Sequence, residues 1–219
     1  MTTQTAEPQG LRAKKKQQTR ENISHQATLL FLERGFDKVT IADVAAAAQV
    51  AKMTVTNYFP RKEDLALDLG EVFVDQLGRI VREREPGESA WAALRRAYLT
   101  AVAEQDPVVG FSGPVFAEMI TASPALVARL REFHEEREAA LAHTLAEETG
   151  AAADDITPRI AAAQLGGVHR VLFDETMRRT LAGQSNDDIA AALTDYIDIA
   201  FTALEPSLGD YAVRQHLSS

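Results

Sequence analysis

Apolar residues recur every three to four positions along almost the whole chain, and glycine or proline cuts the pattern into pieces of helix length. No run alternates β-branched with polar residues. A period near 3.6 marks helix and a period of two marks strand, so the pattern predicts an all-α fold. Proline at a first turn and glycine just past an end set the limits. Proline's missing N–H costs nothing at the first, and glycine accepts the left-handed backbone at the second. These signals predict about nine helices, over roughly 14–34, 41–48, 51–57, 61–85, 89–105, 114–121, 124–149, 158–181 and 187–204. Ile23, Ala27, Leu30 and Phe31 form the buried stripe of the first. Leu65, Leu69, Phe73, Leu77 and Ile80 form that of one long fourth helix. The polar residues up to about Leu11 read as a disordered tail.

The 219 residues suffice for one or two domains with a real core. There is no cysteine, which removes disulfides, thiolate metal sites and cysteine nucleophiles. That usage fits a reducing compartment, and the expected location is cytoplasmic. MTTQTAEPQG lacks the apolar stretch of a secretory signal. No charge-free apolar run approaches the roughly 18 residues of a membrane span, so no membrane partner is expected. The net charge of −9 is unevenly spread: residues 1–62 carry ten Lys/Arg against five Asp/Glu, a net of +5, and the rest a net of −14. A basic module on an acidic body meets a polyanion only through its N-terminal end.

Two short helices joined by a tight turn in that basic segment satisfy the helix-turn-helix pattern. Ala45 is the small residue, Gln49 the turn residue and Val55 the apolar residue, with Ile41, Val44 and Val50 in support. The second helix then presents Lys52, Thr54, Thr56, Asn57 and Tyr58 to a major groove. Asn57 can pair in bidentate fashion with adenine, and a threonine methyl can touch thymine. Lys52 and Lys62 are candidate phosphate contacts, and Thr40, an N-cap with Asp43 three residues on, can donate to another. Lys14, Lys15, Lys16 and Arg20 would extend the contact as a basic arm.

The stretch from Thr19 to Leu65 resembles the DNA-binding domain of the tetracycline-repressor-like (TetR) family of transcriptional regulators. The resemblance is carried by Thr19-Arg20-Glu21, Ala27, Leu30-Phe31, Gly35-Phe36, Thr40-Ile41, Asp43-Val44-Ala45, Val50, Tyr58-Phe59-Pro60 and Lys62-Glu63. Gln49 stands where the family usually has glycine, so a left-handed backbone there is strained. Glycine is frequent at the place of Met53 and an aromatic at that of Thr56, so base contacts do not transfer. The resemblance implies a flexible arm over 1–18, a DNA-binding domain over 19–62 (motif about 41–60), a ligand-binding and dimerisation domain over 63–205, and a tail over 206–219. It further implies a homodimer on a near-palindromic operator, released by a small-molecule inducer that swings the fourth helix.

The last two long helices are candidates for that dimer. One carries Ala161-Ala162-Ala163, Gly166 and Gly167; the other carries Ile189, Leu193, Tyr196, Ile197, Ala200 and Leu204. The same residues would equally make an intramolecular seam. Candidate ligand-binding residues are Trp91, Tyr98, Phe116, Glu118, Met119, Phe133, His134, His169 and Phe173, with Phe111 a further aromatic of the middle helices. Glu118 in an otherwise apolar segment suggests a lipophilic ligand, with a cation as the charged form that a carboxylate and ring faces would favour. The run Glu132, Glu135, Glu136, Glu138 reads as a solvated face. His134 and Glu138 share a helix face, but two ligands do not make a metal site. No GxSxG, phosphate loop or dinucleotide fingerprint is present. No catalytic set, metal or cofactor is therefore expected. The competing classes are an all-α enzyme and an architectural DNA-binding protein; the acidic balance disfavours the latter.

Overall fold

The computed structural model describes residues 8–215. It contains α1 (Pro8–Arg34), α2 (Ile41–Ala47), α3 (Lys52–Tyr58), α4 (Lys62–Ala66), α5 (Gly70–Arg82), α6 (Ala90–Ala103), α7 (Pro114–Ala122), α8 (Pro124–Thr149), α9 (Thr157–Leu181) and α10 (Asn186–Leu208). Short 3-10 turns occur at Phe36–Lys38 and Pro107–Val109, and no strand occurs among the described residues. No helix is long and apolar enough to cross a membrane among the described residues. The chain divides into two compact units. The first holds residues up to Asp68 together with Thr121–Arg129, and the second holds Leu69–Ile120 and the chain from Leu130 on.

In the first unit α1 packs on α2 and α4, and α2 packs on α3. Ile23, Ala27, Phe31, Val44, Val55, Phe59 and Leu65 are among its fully buried residues. Helix α2 opens with a reciprocal cap. Thr40 Oγ1 accepts from the Asp43 N–H at 3.2 Å, and Asp43 accepts from the Thr40 N–H at 2.8 Å. Two donors that the first turn would leave unpaired are thereby satisfied. Hydrogen bonds from the Thr40 hydroxyl and then from its N–H hold the Asp43 carboxyl below its ordinary range. After α2 the backbone of Gln49 turns left-handed at φ 57°, and the Val50 N–H reaches back to the Ala45 carbonyl at 3.0 Å. A non-glycine residue there costs about 1 kcal/mol. Asn22 of α1 braces the turn by donating to the Ala48 carbonyl at 3.0 Å.

The single long helix expected from Arg61 onward is broken. Leu67 leaves helical geometry at φ −110°, ψ 49°, and α5 begins anew at Gly70. Long-range ties compete for this segment. The Ser24 hydroxyl donates to the Asp68 carboxylate, and Arg20 Nη2 donates to the Asp68 carbonyl at 3.3 Å. In the second unit Gly70 packs so closely on the Phe133 ring that a Cβ would collide with it. Leu69, expected in the buried stripe, is 47% exposed.

In the second unit α10 packs on α6 and α9, and α5 packs on α6. Leu77, Leu94, Leu141, Leu165, Ile189, Leu193, Ile197 and Phe201 are completely buried. The expected end of the last helix at Pro206 is also corrected: α10 runs through Pro206 to Leu208. Near the helix end, proline forfeits only one backbone bond. The residues beyond are tied down rather than loose. Arg84 Nε donates to the Ala212 carbonyl at 3.0 Å, the Gly87 N–H donates to the Arg214 carbonyl at 2.8 Å, and the Arg214 N–H donates to the Glu88 carbonyl at 3.0 Å. At the other end, residues 8–18 are the start of α1 and not a flexible arm, with Lys14, Lys15 and Lys16 exposed along it. Residues 1–7 of the expected arm and residues 216–219 of the expected tail lie outside the described residues.

Candidate DNA-reading surface and ligand cluster

Val55 anchors α3 to the core of the first unit, which turns Lys52, Met53 and Asn57 outward. Thr54, Thr56 and Tyr58 are half-buried on its flanks. The Thr56 hydroxyl donates back to the Met53 carbonyl at 3.1 Å, so its methyl is the group left to meet a base. Asn57 keeps an exposed amide of the kind that pairs with adenine. Met53, absent from the expected contacts, is 70% exposed. The clue was present: Met53 lies off the Val55 face, so α3 spends no burial on it.

Three expected phosphate contacts are otherwise engaged. Lys62 Nζ donates to the Phe36 carbonyl at 3.1 Å and lies 4.1 Å over the Phe36 ring. Arg20 sits 4.6 Å over the Phe59 ring and donates to the Tyr58 and Asp68 carbonyls. The Thr40 hydroxyl donates to Asp43 at 2.6 Å. Each is a tie within the first unit. Sequence spacing marks such residues as cationic or polar but does not name their partners. Of the expected phosphate contacts, Lys52 and the exposed lysines of α1 remain free-standing on the surface.

In the second unit, rings from four helices converge. Phe73 of α5 meets His134 of α8 and His169 and Phe173 of α9 edge-on, at centroid distances of 5.0, 5.5 and 5.8 Å. Tyr98 of α6 adds its ring 5.4 Å from His169. Arg137 of α8 enters this cluster with 1% of its surface exposed. Its guanidinium carbon lies 4.3 Å from the Phe73 ring centroid. Nη2 donates to Gln76 Oε1 at 2.8 Å, and Nη1 lies 2.6 and 2.7 Å from the two ring nitrogens of His169. Burial and the neighbouring Arg137 charge push His134 down to about 4 and His169 well below its ordinary value, so both rings are neutral at pH 7. Burial raises the Tyr98 phenol and lowers Arg137 to about 10. The arginine is therefore charged at pH 7, and the phenol keeps its proton.

Four of the nine expected ligand residues, Tyr98, His134, His169 and Phe173, thus come together. The others do not. Trp91 packs edge-on against Phe201 and donates Nε1–H to the Phe201 carbonyl at 2.9 Å. Phe133 is taken up against Gly70. Phe116 and Met119 are half-buried on α7, and Phe116 makes no ring contact with the cluster. Glu118 lies on the exposed side of α7 and is not a carboxylate set into an apolar wall, because the buried stripe of that helix is Ala117 and Ile120. The residue that carries the cluster's charge, Arg137, was hidden in a run of glutamates.

Residues 23–69 match the model of the tetR family of bacterial regulatory proteins, and residues 88–209, more than half the chain, match that of the MftR C-terminal domain. The chain belongs to the TetR family. It is 27% identical over 213 residues to the HTH-type transcriptional regulator TcmR of Streptomyces glaucescens, covering 94% of this chain and 92% of TcmR. Among solved structures, a TetR-family regulator of Syntrophomonas wolfei aligns with a TM-score of 0.56 at 16% identity, over 85% of this chain and 96% of that one. NalD, the secondary repressor of the MexAB-OprM multidrug efflux pump in Pseudomonas aeruginosa, aligns with a TM-score of 0.52 at 21% identity, over 84% and 97%.

This TetR-family chain is accordingly a DNA-binding transcriptional regulator. On its second unit, α9 and α10 carry an outward apolar face. Val171 is 58% and Ile199 67% exposed, and Tyr196 and Ala200 border a hollow of about 670 Å³ beside Gly167. Ile189, Leu193 and Ile197, weighed above for a dimer face, instead belong to the buried seam within the unit.

Proposed function

We propose that this regulator is a homodimeric repressor that reads a near-palindromic operator with α3 and is released by a small, largely hydrophobic molecule bound in the second unit. The observation that carries the reading is α3 itself. A capped helix and a braced left-handed turn hold it in place, and it offers Lys52, Met53 and Asn57 outward. For two-fold readers the half-sites lie about 34–36 Å apart or a multiple of that. The second copy belongs on the α9–α10 face. Large exposed apolar side chains beside small residues suit an isologous helical interface, and Val171 and Ile199 have no buried role within the chain.

The test is selection of bound sequences from random DNA, followed by binding of the enriched site. A repressor of this kind yields an inverted repeat, and sequence-tolerant binding would sink the reading in favour of an architectural protein. Asn57→Ala should relax one base position in each half-site, at a cost of about 1–3 kcal/mol for a bidentate contact. Lys52→Ala should weaken every sequence alike and lower the salt slope by about one.

A further inference from the structure

Arg137 is a cation without a counter-ion. Among the described residues it makes no ion pair, and its polar neighbours are neutral: Gln76 and the two ring nitrogens of His169. Its Nε–H has no hydrogen-bond partner, and neither has the Tyr98 hydroxyl, buried at 2% exposure, nor His134 Nε2. A buried charge is ordinarily paired, and buried donors are ordinarily satisfied. Both shortfalls fall in one ring-lined cluster, which makes accident a poor explanation. Two buried donors, one of them on a fixed positive charge, are the complement of a single anionic oxygen group. A guanidinium also stacks on flat rings and holds carboxylates and related oxyanions through directed N–H bonds. His134 also lines a hollow of about 260 Å³ whose wall carries Arg131, Arg170, Glu135 and Glu138.

We infer that the second unit takes an aromatic organic anion, a carboxylate or a phenolate. Its charged oxygen accepts from Arg137 Nε–H and the Tyr98 hydroxyl, and its ring packs among Phe73, His169 and Phe173. The inference rests on the reading of this unit as the ligand-responsive half. It replaces the carboxylate-for-cation recognition expected of Glu118 with the opposite charge.

The experiment is calorimetric titration of the full chain at pH 7.5 with 2-naphthoate, 2,4-dinitrophenolate, the neutral 2-naphthamide and the cationic (2-naphthyl)methylammonium. At least one anion should bind about tenfold or more tightly than the amide, with the ammonium weaker than both. The naphthoate and the dinitrophenolate decide between the carboxylate and the phenolate. Arg137→Gln should erase the preference for the anion while leaving the affinity for the amide unchanged. Tyr98→Phe should cost the anion several-fold, and it carries the same comparison if Arg137→Gln does not fold. Equal affinity for 2-naphthoate and 2-naphthamide, or an anion preference that survives in Arg137→Gln, would overturn the inference while the ligand-binding reading stands. Absence of binding by all four probes at millimolar concentration would overturn both.

Discussion

The second unit buries two arginines to the same degree, and they are opposites. Arg84 and Arg137 are each 1% exposed. Arg84 is paired: it meets Glu148 at 2.6 Å, and donates to the Ala212 carbonyl at 3.0 Å and to the Val81 carbonyl. Arg137 has one neutral histidine, a glutamine and the Phe73 ring face, and keeps one N–H unspent. Arg84 fastens the segment after α10 to the end of α5, so its charge is consumed by the fold. The charge of Arg137 is left over. Equal burial therefore says little about role, and the partners of the charge say most of it.

The largest effect expected from this contrast is at Arg84. Arg84→Met strands the Glu148 carboxylate and frees carbonyls that only the guanidinium reaches. Breaking one partner out of a buried pair costs about 3–5 kcal/mol. Glu148 is 28% exposed, so water recovers part of it and the lower end applies. Denaturant melts of the full chain measure this, and a loss under about 1 kcal/mol would mean that the tie is ornamental.

Next in size is a pH effect that belongs to the Arg137 site alone. His134 is held down to about 4, first by burial and then by the Arg137 charge, whereas an unfolded histidine titrates near 6.5. Between those values the unfolded chain binds a proton that the native chain refuses, so stability falls as pH drops from 6.5 towards 4. From pH 6.5 to 5 the loss assigned to His134 is about 2 kcal/mol. His134→Gln should remove its share of the slope and leave that of His169, which burial also holds well below its ordinary value, and Arg84→Met should leave the slope as it is. A wild-type profile that is flat from pH 7 to 5 would show that the cluster is open to water and that Arg137 is not desolvated.

These sites also show what a sequence can and cannot reveal. The Thr40–Asp43 cap and the left-handed Gln49 were readable because both are settled within a few residues. The break at Leu67–Leu69 was not readable, because it depends on Ser24 and Arg20 reaching Asp68 from forty or more positions away. Apolar spacing ran straight across it, since Leu65 and Phe73 are buried in different units. Lys62 and Arg20 were legible as cations, but their ties to Phe36, Tyr58 and Asp68 were not, because a charge announces its sign and not its partner. The ring cluster was half legible: Tyr98, His134, His169 and Phe173 stood out as aromatic or imidazole groups on helices. Arg137 did not, because Glu135, Glu136 and Glu138 around it read as solvent-facing. Helical spacing held the missing clue. Arg137 lies three and four positions after His134 and Phe133, on the face those rings turn inward.

The smallest expected change is the most discriminating. Arg137→Met removes a charge that no carboxylate compensates and replaces it with an apolar chain of comparable length. The variant loses hydrogen bonds to Gln76 and His169, worth about 1 kcal/mol each. It is also relieved of the penalty for desolvating a guanidinium, which amounts to several kcal/mol per buried ion. The two nearly cancel, so the ligand-free stability of Arg137→Met should lie within about 1 kcal/mol of wild type or above it. Relief of the Arg137 charge should also let His134 titrate nearer its ordinary value, which narrows the acid-sensitive window from below. A loss as large as that of Arg84→Met would make Arg137 a second structural bolt. A neutral or stabilising outcome means that the fold keeps a costly cation for which it has no structural use, as a site reserved for a bound anion requires.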